Sequence, residues 1–362
     1  MAGQRPADGT PFADTTVVDT DVHLSIPFDD LATYLDEPYR SMTKNPTYTA
    51  VHRTGWDRYM GGKIESQKAE VRDADALNHH MCNVFGIDYP LINTFAVLNS
   101  VPEDDRAVAM MRAYNEYLLD RYLDEYNHFR GLASVAVQKP DKAAEELDRI
   151  GDEDQIVGVY ILNSGAQPPL GHNRYDILYE AARDNDLHIA YHGSAGAPFA
   201  KDFPIQDNQF NRFLANHIVA HPWAHMLTLT SLLVNGTPEK FPELNFTFLE
   251  AGYTWVPYMM FRFNKEYAMR RNEAPLLEKT PEEYVRDQFY FGSQPVGEPN
   301  DPSDLDQIID VIGPDRLTLS TDFPHWDFDH PDALKRHVDR FDDADRERIL
   351  SGSAIEAFGL DL

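Results

Sequence analysis

Residues 17–23 read VVDTDVH, a short apolar run that ends in two polar side chains with the spacing Asp-x-His. Valine and threonine favour extended backbone, so the run predicts a buried β-strand. Asp21 and His23 lie two positions apart, and alternate side chains of a strand point to the same face. The stretch therefore predicts that both side chains project together from the carboxyl end of the first strand.

Two later stretches repeat this arrangement. Residues 187–193 read LHIAYHG and contain His192, and residues 317–325 read LTLSTDFPH and place Asp322 after the apolar run. In a (β/α)8 barrel the carboxyl ends of all strands meet at one face, and the active site is built there. Strand ends so distant in the chain form one site only in a fold that brings them together.

From residue 72 onward the chain alternates strand-like and helical patterns, and with the strand at residues 16–19 eight apolar strand-like runs can be recognised. Such alternation indicates a parallel sheet that is covered on both faces. Eight units favour a barrel over a doubly wound sheet, and the sequence lacks the glycine-rich phosphate loops that are common in doubly wound folds. We therefore predict an α/β protein, one (β/α)8 (TIM) barrel domain over residues 1–362. The predicted strands are residues 16–19, 87–94, 130–137, 156–162, 187–191, 244–249, 288–291 and 316–320.

One segment departs from the alternation. Residues 24–70 are rich in Tyr, Pro, Gly and basic residues and have no clear period. They follow the first strand directly, at the end of the barrel where loops cover the active site. Segments of this length are usually functional or disordered, and Tyr34, Trp56 and Tyr59 argue against disorder. We predict an inserted lid or small subdomain at residues 24–70.

The charge of the chain is strongly negative: 60 acidic residues face 32 Lys and Arg, for a net charge of −28. This balance disfavours nucleic acid and anionic membranes as partners. The acidic residues are scattered along the sequence, which favours a solvated acidic surface of the halophilic kind over one acidic binding patch. The partner that we expect is a small-molecule substrate, and a homodimer is left open.

The acidic surface leads to a prediction about salt. Like charges on the folded surface repel one another, and added salt screens that repulsion. We expect the thermal unfolding midpoint to rise as NaCl or KCl is increased from low to molar concentration, as calorimetry can measure. A midpoint that does not change over this range would contradict the halophilic interpretation.

The remaining composition predicts a cytoplasmic protein. Cys82 is the single cysteine, so no disulfide can form within the chain, and we expect it to be a small buried apolar residue. Residues 1–10 are polar and lack the apolar core of a secretory signal. No apolar run approaches the roughly 18 residues that a bilayer crossing needs.

The side chains at the three strand ends are suited to metal binding. Asp21 and His23 can share one ion, and His192 and Asp322 could complete a His₂Asp₂ site for one divalent cation. Such a donor set suits Zn²⁺, which we expect, and also Mn²⁺ or Fe²⁺. The alternative for Asp21 and His23 is a helix cap and an ordinary loop histidine.

The chain resembles the amidohydrolase-2 branch of the amidohydrolase superfamily, which includes aminocarboxymuconate-semialdehyde decarboxylase and γ-resorcylate decarboxylase. The resemblance extends over essentially the whole chain and is strongest at residues 19–23 (DTDVH), 192–193 (HG), 241–244 (FPEL) and 320–327 (STDFPHWD). It implies a (β/α)8 barrel with one divalent metal, whose ligands would fall on Asp21, His23, His192 and Asp322.

The sequence departs from those decarboxylases after the sixth strand. They carry a histidine there, whereas residues 250–257 read EAGYTWVP and place Glu250 at that position. Glu250 could be a metal ligand or a general base for metal-bound water. Alternatively it could be a structural acid that pairs with Arg262 or Arg212.

Further histidines follow the fifth and eighth strands. His217, His221 and His225 have i, i+4 spacing on a predicted helix, although Pro222 suggests that this helix starts or bends there. Each is more often structural than functional in such a setting, and His221 is the one that we select as a catalytic candidate. His325 and Asp327 are expected to support the metal ligands or to contact substrate.

Three functions remain open from the sequence. The first is a metal-dependent hydrolase of a small cyclic or carboxylated metabolite, with Glu250 or Asp322 as the base. The second is a metal-dependent non-oxidative decarboxylase of an aromatic or unsaturated carboxylic acid. The third is a non-catalytic barrel that binds a small molecule and holds a structural metal. Because Glu250 stands in place of a histidine, we place hydrolysis first.

Overall fold

Eight parallel strands form the centre of the molecule. The computed structural model describes residues 10–12, 15–24, 26–43, 71, 73–94, 98–101, 103–193, 213–325 and 327–362. In chain order the strands are β1 (Val18–His23), β2 (Tyr89–Asn93), β3 (Arg130–Ser134), β4 (Ile156–Leu162), β5 (His188–His192), β6 (Phe246–Leu249), β7 (Phe289–Gly292) and β8 (Leu317–Thr318). Each strand pairs in parallel with the next, so the sheet order follows the sequence.

The two ends of this sheet are joined by backbone hydrogen bonds. The Thr20 amide donates to the Leu319 carbonyl at 3.0 Å, and the Asp322 amide donates to the Asp21 carbonyl at 2.9 Å. A third bond runs from the His23 amide to the Phe323 carbonyl at 2.8 Å. These contacts close β1 onto the segment that follows β8, and they confirm the predicted (β/α)8 barrel.

Helices follow the strands and cover the outside of the barrel. The α-helices of the described residues are α1 (Phe28–Leu31), α2 (Tyr39–Thr43), α3 (Ala74–Asn78), α4 (Asp104–Leu118), α5 (Pro140–Ile150), α6 (Asp176–Asp184), α7 (Phe213–Val234), α8 (Thr237–Lys240), α9 (Val256–Arg270), α10 (Pro281–Gln288), α11 (Ser303–Ile312), α12 (Pro331–Val338), α13 (Asp343–Glu347) and α14 (Ser353–Phe358). Wider π-helical turns occur at His79–Phe85, Leu119–Leu123 and Arg348–Gly352, and 3₁₀ turns at Ala32–Tyr34, Leu98–Ser100, Asn173–Tyr175, Arg271–Glu273 and Pro314–Arg316.

The strands are apolar because both of their faces are buried. One face packs against the surrounding helices, and the other points into the barrel, where a separate cluster of apolar side chains lies. Helix α14 contributes Ala354, Ala357 and Phe358 to this interior cluster. The Phe358 ring approaches Gly158, near the start of β4, so α14 closes the amino-terminal end of the barrel. The opposite end, where the strands finish, is left for polar side chains.

Strand β8 is shorter than predicted, two residues instead of five. Beyond Thr318, two successive backbone amides bond to buried side chains instead of to a neighbouring strand. The Ser320 amide donates to Ser293 Oγ at 3.0 Å, and the Thr321 amide donates to Asp19 Oδ1 at 3.0 Å. These bonds turn the chain out of the sheet just before Asp322.

The described part of the predicted insertion packs on a barrel helix. Leu31 and Leu35 are buried against Ala113 of α4, the helix that follows β2. The Tyr34 hydroxyl donates to Asp120. Residues 44–70, with Trp56 and Tyr59, lie outside the described residues, so a lid at residues 24–70 and the domain boundaries stay predictions.

Two smaller expectations concern Cys82 and membranes. Cys82 is buried as predicted, and burial raises the pKa of its thiol to about 12. None of the helices in the described part of the chain combines the length and the apolar composition that a bilayer crossing requires.

Candidate metal centre

The four predicted metal ligands converge at the carboxyl ends of β1, β5 and β8. Asp21, His23, His192 and Asp322 are all buried, and one donor atom from each lies within 4.8 Å of the others. His23 Nε2 is 2.7 Å from Asp322 Oδ1 and 3.2 Å from Asp21 Oδ1. His192 Nε2 lies 3.6 Å from Asp21 Oδ2. The barrel therefore brings together residues that are far apart in sequence.

Neighbouring strands hold these ligands in place. Asn93, at the end of β2, contacts both members of the first motif: its Oδ1 is 2.7 Å from His23 Nδ1, and its Nδ2 donates to Asp21 Oδ1 at 3.1 Å. Gln294, just after β7, donates to Asp322 Oδ2 at 3.3 Å. With Nδ1 engaged by Asn93, the His23 ring directs Nε2 towards the two carboxylates, as a metal-ligating histidine requires.

The donor set fits a divalent cation. Two imidazoles and two carboxylates form the type of set that Zn²⁺, Mn²⁺ and Fe²⁺ accept. Asp21 Oδ2 is buried and has no hydrogen-bond partner among the described residues. Burial, together with the Asp322 and Glu250 carboxylates, raises the pKa of Asp21 well above its usual value. Anionic oxygens that are buried side by side are costly unless a positive charge compensates them.

Burial disfavours the protonated form of both histidines of this set. Burial lowers the pKa of His23, and it lowers the pKa of His192 further. The neutral imidazole is the form that binds a metal. The rings of His23 and His192 meet edge to face with centroids 5.0 Å apart.

The backbone is strained at two of the site residues. Glu250 and Asp322, which follow β6 and β8, have φ angles of 55° and 65°. The left-handed region is unfavourable for residues with a Cβ, and such strain concentrates at functional sites. This conformation turns both carboxylates from the strand ends into the mouth of the barrel.

Glu250 lies between two histidines. Its Oε2 is 3.1 Å from His192 Nε2, and its Oε1 is 3.3 Å from His221 Nε2. Arg262, which the sequence allowed as a structural partner, pairs with Glu266 at 2.5 Å instead, so that alternative is wrong. Arg212, the other alternative, lies outside the described residues. Glu250 therefore lies within hydrogen-bonding distance of both His192 and His221.

The three histidines on α7 have different surroundings. His221 is buried beside Glu250; burial lowers the pKa of His221, but the charge and hydrogen bond of Glu250, together with the nearby Asp327 and Asp322 carboxylates, raise it overall. His217 lies one turn earlier, with Nε2 3.3 Å from Asp327 Oδ2. His225 is structural: its Nε2 is 2.6 Å from the Leu249 carbonyl and its Nδ1 2.7 Å from Asn163 Nδ2. Pro222 lies inside α7, so the helix does not start there.

Gly193 permits the approach of α7 to the site. A Cβ at this position would lie 3.0 Å from His221 Cα and 2.9 Å from His221 Cδ2. In this pair His192 is the candidate metal ligand, and Gly193 is the small residue against which His221 packs.

This contact predicts the effect of Gly193→Ala. The added methyl group must displace α7, and we expect a loss of about 1–3 kcal/mol in the free energy of unfolding, measured by chemical denaturation. Gly297→Ala is the control, because its Cβ would meet the Thr254 methyl group at 3.3 Å and no backbone atom so closely. Equal stability of the two variants would show that the α7 contact is not tight.

His325 and Asp327, which follow β8, lie beside Asp322 and His217 respectively. His325 Nδ1 is 2.6 Å from Asp322 Oδ1, and the His325 ring stacks on that of His23 at 4.1 Å. Burial opposes protonation of His325, but the Asp322 carboxylate outweighs it and raises the pKa to about 9. Burial would raise the pKa of Asp322, yet His325 and His23 lower it below its usual range. Burial raises the pKa of Asp327 to about 8.

Some site residues were missed from the sequence. Asn93 ends an apolar run, as the predicted ligands do, so its position could have identified it. Gln294 and Asp19 carry no such signal; Asp19 lies within β1 and accepts hydrogen bonds from Thr321. The Tyr160 hydroxyl on β4 is buried without a hydrogen-bond partner in the described part of the chain, and the Tyr160 ring is 5.4 Å from that of His192.

A parallel barrel with buried His and Asp side chains gathered at its carboxyl face is the architecture of metal-dependent amidohydrolases, and the family comparison agrees. The amidohydrolase family model Amidohydro_2 matches residues 84–360, so the chain belongs to this family. It is 25% identical to a γ-resorcylate decarboxylase of Polaromonas sp. over 308 residues, which cover 82% of this chain and 90% of the relative.

Solved structures share the fold. An amidohydrolase of Mycobacterium avium subsp. paratuberculosis matches with a TM-score of 0.74 at 16% identity, covering 96% of this chain and all of the other. A 5-carboxyvanillate decarboxylase of Novosphingobium aromaticivorans, solved with manganese and 4-hydroxy-3-methoxy-5-nitrobenzoic acid, matches with a TM-score of 0.72 at 17% identity, covering 99% of this chain and all of the other. At these identities the likeness shows the fold alone.

Proposed function

We propose that this protein is a metal-dependent non-oxidative decarboxylase of an aromatic or unsaturated carboxylic acid. The observation that carries the proposal is the convergence of Asp21, His23, His192 and Asp322 on one buried point at the barrel mouth. The similarity to a γ-resorcylate decarboxylase over most of both chains supports this reaction better than the hydrolysis that we placed first from sequence.

These four residues would hold one divalent cation. When bound, such a cation would supply a Lewis acid for the substrate's carboxylate or an adjacent hydroxyl group and would stabilise the charge that develops when CO₂ leaves. Zn²⁺ remains our expectation from the donor set, and the Mn²⁺ in the carboxyvanillate decarboxylase structure makes manganese the first alternative to test.

Loss of CO₂ requires a proton for the carbon that carried the carboxylate. We assign its delivery to the Asp322–His325 pair, because the two side chains are hydrogen-bonded and His325 is partly open to solvent. The exposed edge of His325 provides a route by which solvent can restore the proton. In this proposal Asp322 is both a ligand and a catalytic residue.

Product analysis tests the proposal. The protein, stripped with chelator and reloaded with Zn²⁺ or Mn²⁺, is incubated with hydroxylated benzoic acids and with unsaturated dicarboxylic acids. We expect CO₂ and the decarboxylated product in equal amounts, with no oxidant consumed. Suppose that the reloaded protein holds at least one metal ion per chain and still releases no CO₂ from any compound of the panel. That result would count against the proposal.

Hydrolysis is the second candidate, and Glu250 is the observation that favours it. Its carboxylate lies 3.1 Å from His192 Nε2, where a base could take a proton from a water at the ligand set. Small lactones and cyclic amides included in the same panel separate the two reactions: hydrolysis opens the ring and yields a new carboxylate without CO₂. A barrel whose metal is only structural would turn over neither group of compounds.

A further inference from the structure

We propose a second divalent cation site beside the first, formed by His217, His221 and Glu250 and joined to the first through the Glu250 carboxylate. The proposal goes beyond the reaction assigned above, because it concerns how many ions the mouth of the barrel holds. It rests on the positions of the donor atoms.

The three donors meet at one point. One ligand atom from each of His217, His221 and Glu250 lies within 4.8 Å of the others. His217 and His221 are one turn apart on α7, so both rings project from the same helix face, with centroids 5.2 Å apart. This i, i+4 spacing is the one by which paired helical histidines bind zinc in metalloproteases. There the third ligand comes from elsewhere in the fold, and here Glu250 would supply it from the end of β6.

Glu250 has one oxygen in each set. Its Oε1 faces His221 Nε2 at 3.3 Å, while its Oε2 faces His192 Nε2 at 3.1 Å. The carboxylate can therefore bridge two cations, one on the side of His221 and one on the side of His192. The left-handed backbone of Glu250 points the side chain between the two groups of histidines.

The charges of the pocket favour a second cation. Four carboxylates lie there, those of Asp21, Glu250, Asp322 and Asp327, and only Asp327 reaches 11% side-chain exposure. Carboxylates gathered in a buried pocket are costly unless cations compensate them, and a second cation beside Asp327 and Glu250 would compensate more of them than one cation alone.

The donor chemistry identifies the class of ion. Two histidines and one glutamate, with one position open, form a zinc set of the catalytic type. The His217 side chain is 24% exposed, so solvent can reach this set of donors. We expect Zn²⁺ to bind there more tightly than Mn²⁺, because imidazole-containing sites follow this order.

Metal analysis of the whole protein tests the second site. The protein is stripped with chelator, reloaded with excess Zn²⁺, freed of unbound metal and assayed by elemental analysis. We expect two zinc ions per chain in the wild type and one in a His217→Asn, His221→Asn double variant. His79→Asn, which changes an exposed histidine outside both ligand sets, is the control and should keep two.

The number of zinc ions per chain also distinguishes a failure of the second site from a failure of the first. One ion per chain in both the wild type and the double variant would overturn the second site and leave the first intact. No bound ion in the wild type would overturn both sites. If the double variant does not fold, His217→Asn alone, at the exposed edge, should weaken the binding of the second equivalent at least tenfold.

A second measurement addresses the bridge without any substitution. Two Mn²⁺ ions that share a carboxylate are magnetically coupled, and coupling changes the electron paramagnetic resonance spectrum from that of isolated ions. We expect isolated-ion signals at one equivalent of Mn²⁺ and coupled signals at two. A spectrum of isolated ions that persists in protein holding two equivalents would contradict the Glu250 bridge.

Discussion

His192→Ala is expected to remove the cation of the His₂Asp₂ set and to abolish measurable turnover. His192 contributes one of only two imidazoles to this set, and both lie against carboxylates in a fully buried position. Without it, three donors would remain to hold the cation. We expect turnover to fall on the order of 10³-fold or more, since a Lewis-acid metal contributes several kcal/mol to the transition state.

The measurement combines elemental analysis with an assay of CO₂ release. The metal content should fall by one equivalent per chain. A matched control is available on the same strand: His188, at the opposite end of β5, accepts a hydrogen bond from the Asn245 amide at 3.1 Å. His188→Asn keeps an acceptor there and should leave metal content and turnover unchanged. Full retention of metal in a His23→Ala, His192→Ala double variant would show that the ion binds elsewhere.

In the hydrolytic alternative, where Glu250 is the general base, Glu250→Gln is expected to lower turnover by roughly 10²–10⁴-fold, the usual contribution of a positioned acid–base group. The substitution keeps the size of the side chain and most of its hydrogen bonding but removes the charge between His192 and His221. The barrel core is not touched, so circular dichroism and the thermal midpoint should stay close to wild type. The cation held by Asp21, His23, His192 and Asp322 should also remain.

The control for this variant is Glu243→Gln. Glu243 is exposed on the segment that precedes β6, at the other end of the same strand, and should tolerate the change. If Glu250→Gln left turnover unchanged on a real substrate, Glu250 would not be the base, and the proton chemistry would rest on Asp322, His325 or His221. Unfolding of the variant would show that Glu250 has a structural role.

The strands of the barrel were predictable because their sequences are apolar on both faces. Strand β4 occupies the predicted residues 156–162, and β5 and β6 end within one residue of the prediction. Strand β8 was not predicted well, because its apparent continuation bonds to the side chains of Ser293 and Asp19. A pattern of hydrophobic residues cannot show that a distant side chain competes for a backbone amide.

The sequence by itself determined the fold class and the four candidate ligands. Each ligand follows an apolar run, and parallel strands that close into a barrel must bring their carboxyl ends to one face. This rule needs no side-chain geometry, so the order of strands and polar residues along the chain is enough to place Asp21, His23, His192 and Asp322 together.

Only the tertiary structure decided which partner each of the other buried polar groups contacts. In the structure His221 contacts the Glu250 carboxylate, whereas His225 contacts the Leu249 carbonyl, although the two histidines are one turn apart on the same helix. The tertiary structure also turned Glu250 and Asp322 into left-handed backbone, a strain that no local preference predicts. Periodicity determines which face a residue occupies, but the partner of a buried polar group depends on which chain segments pack against that face.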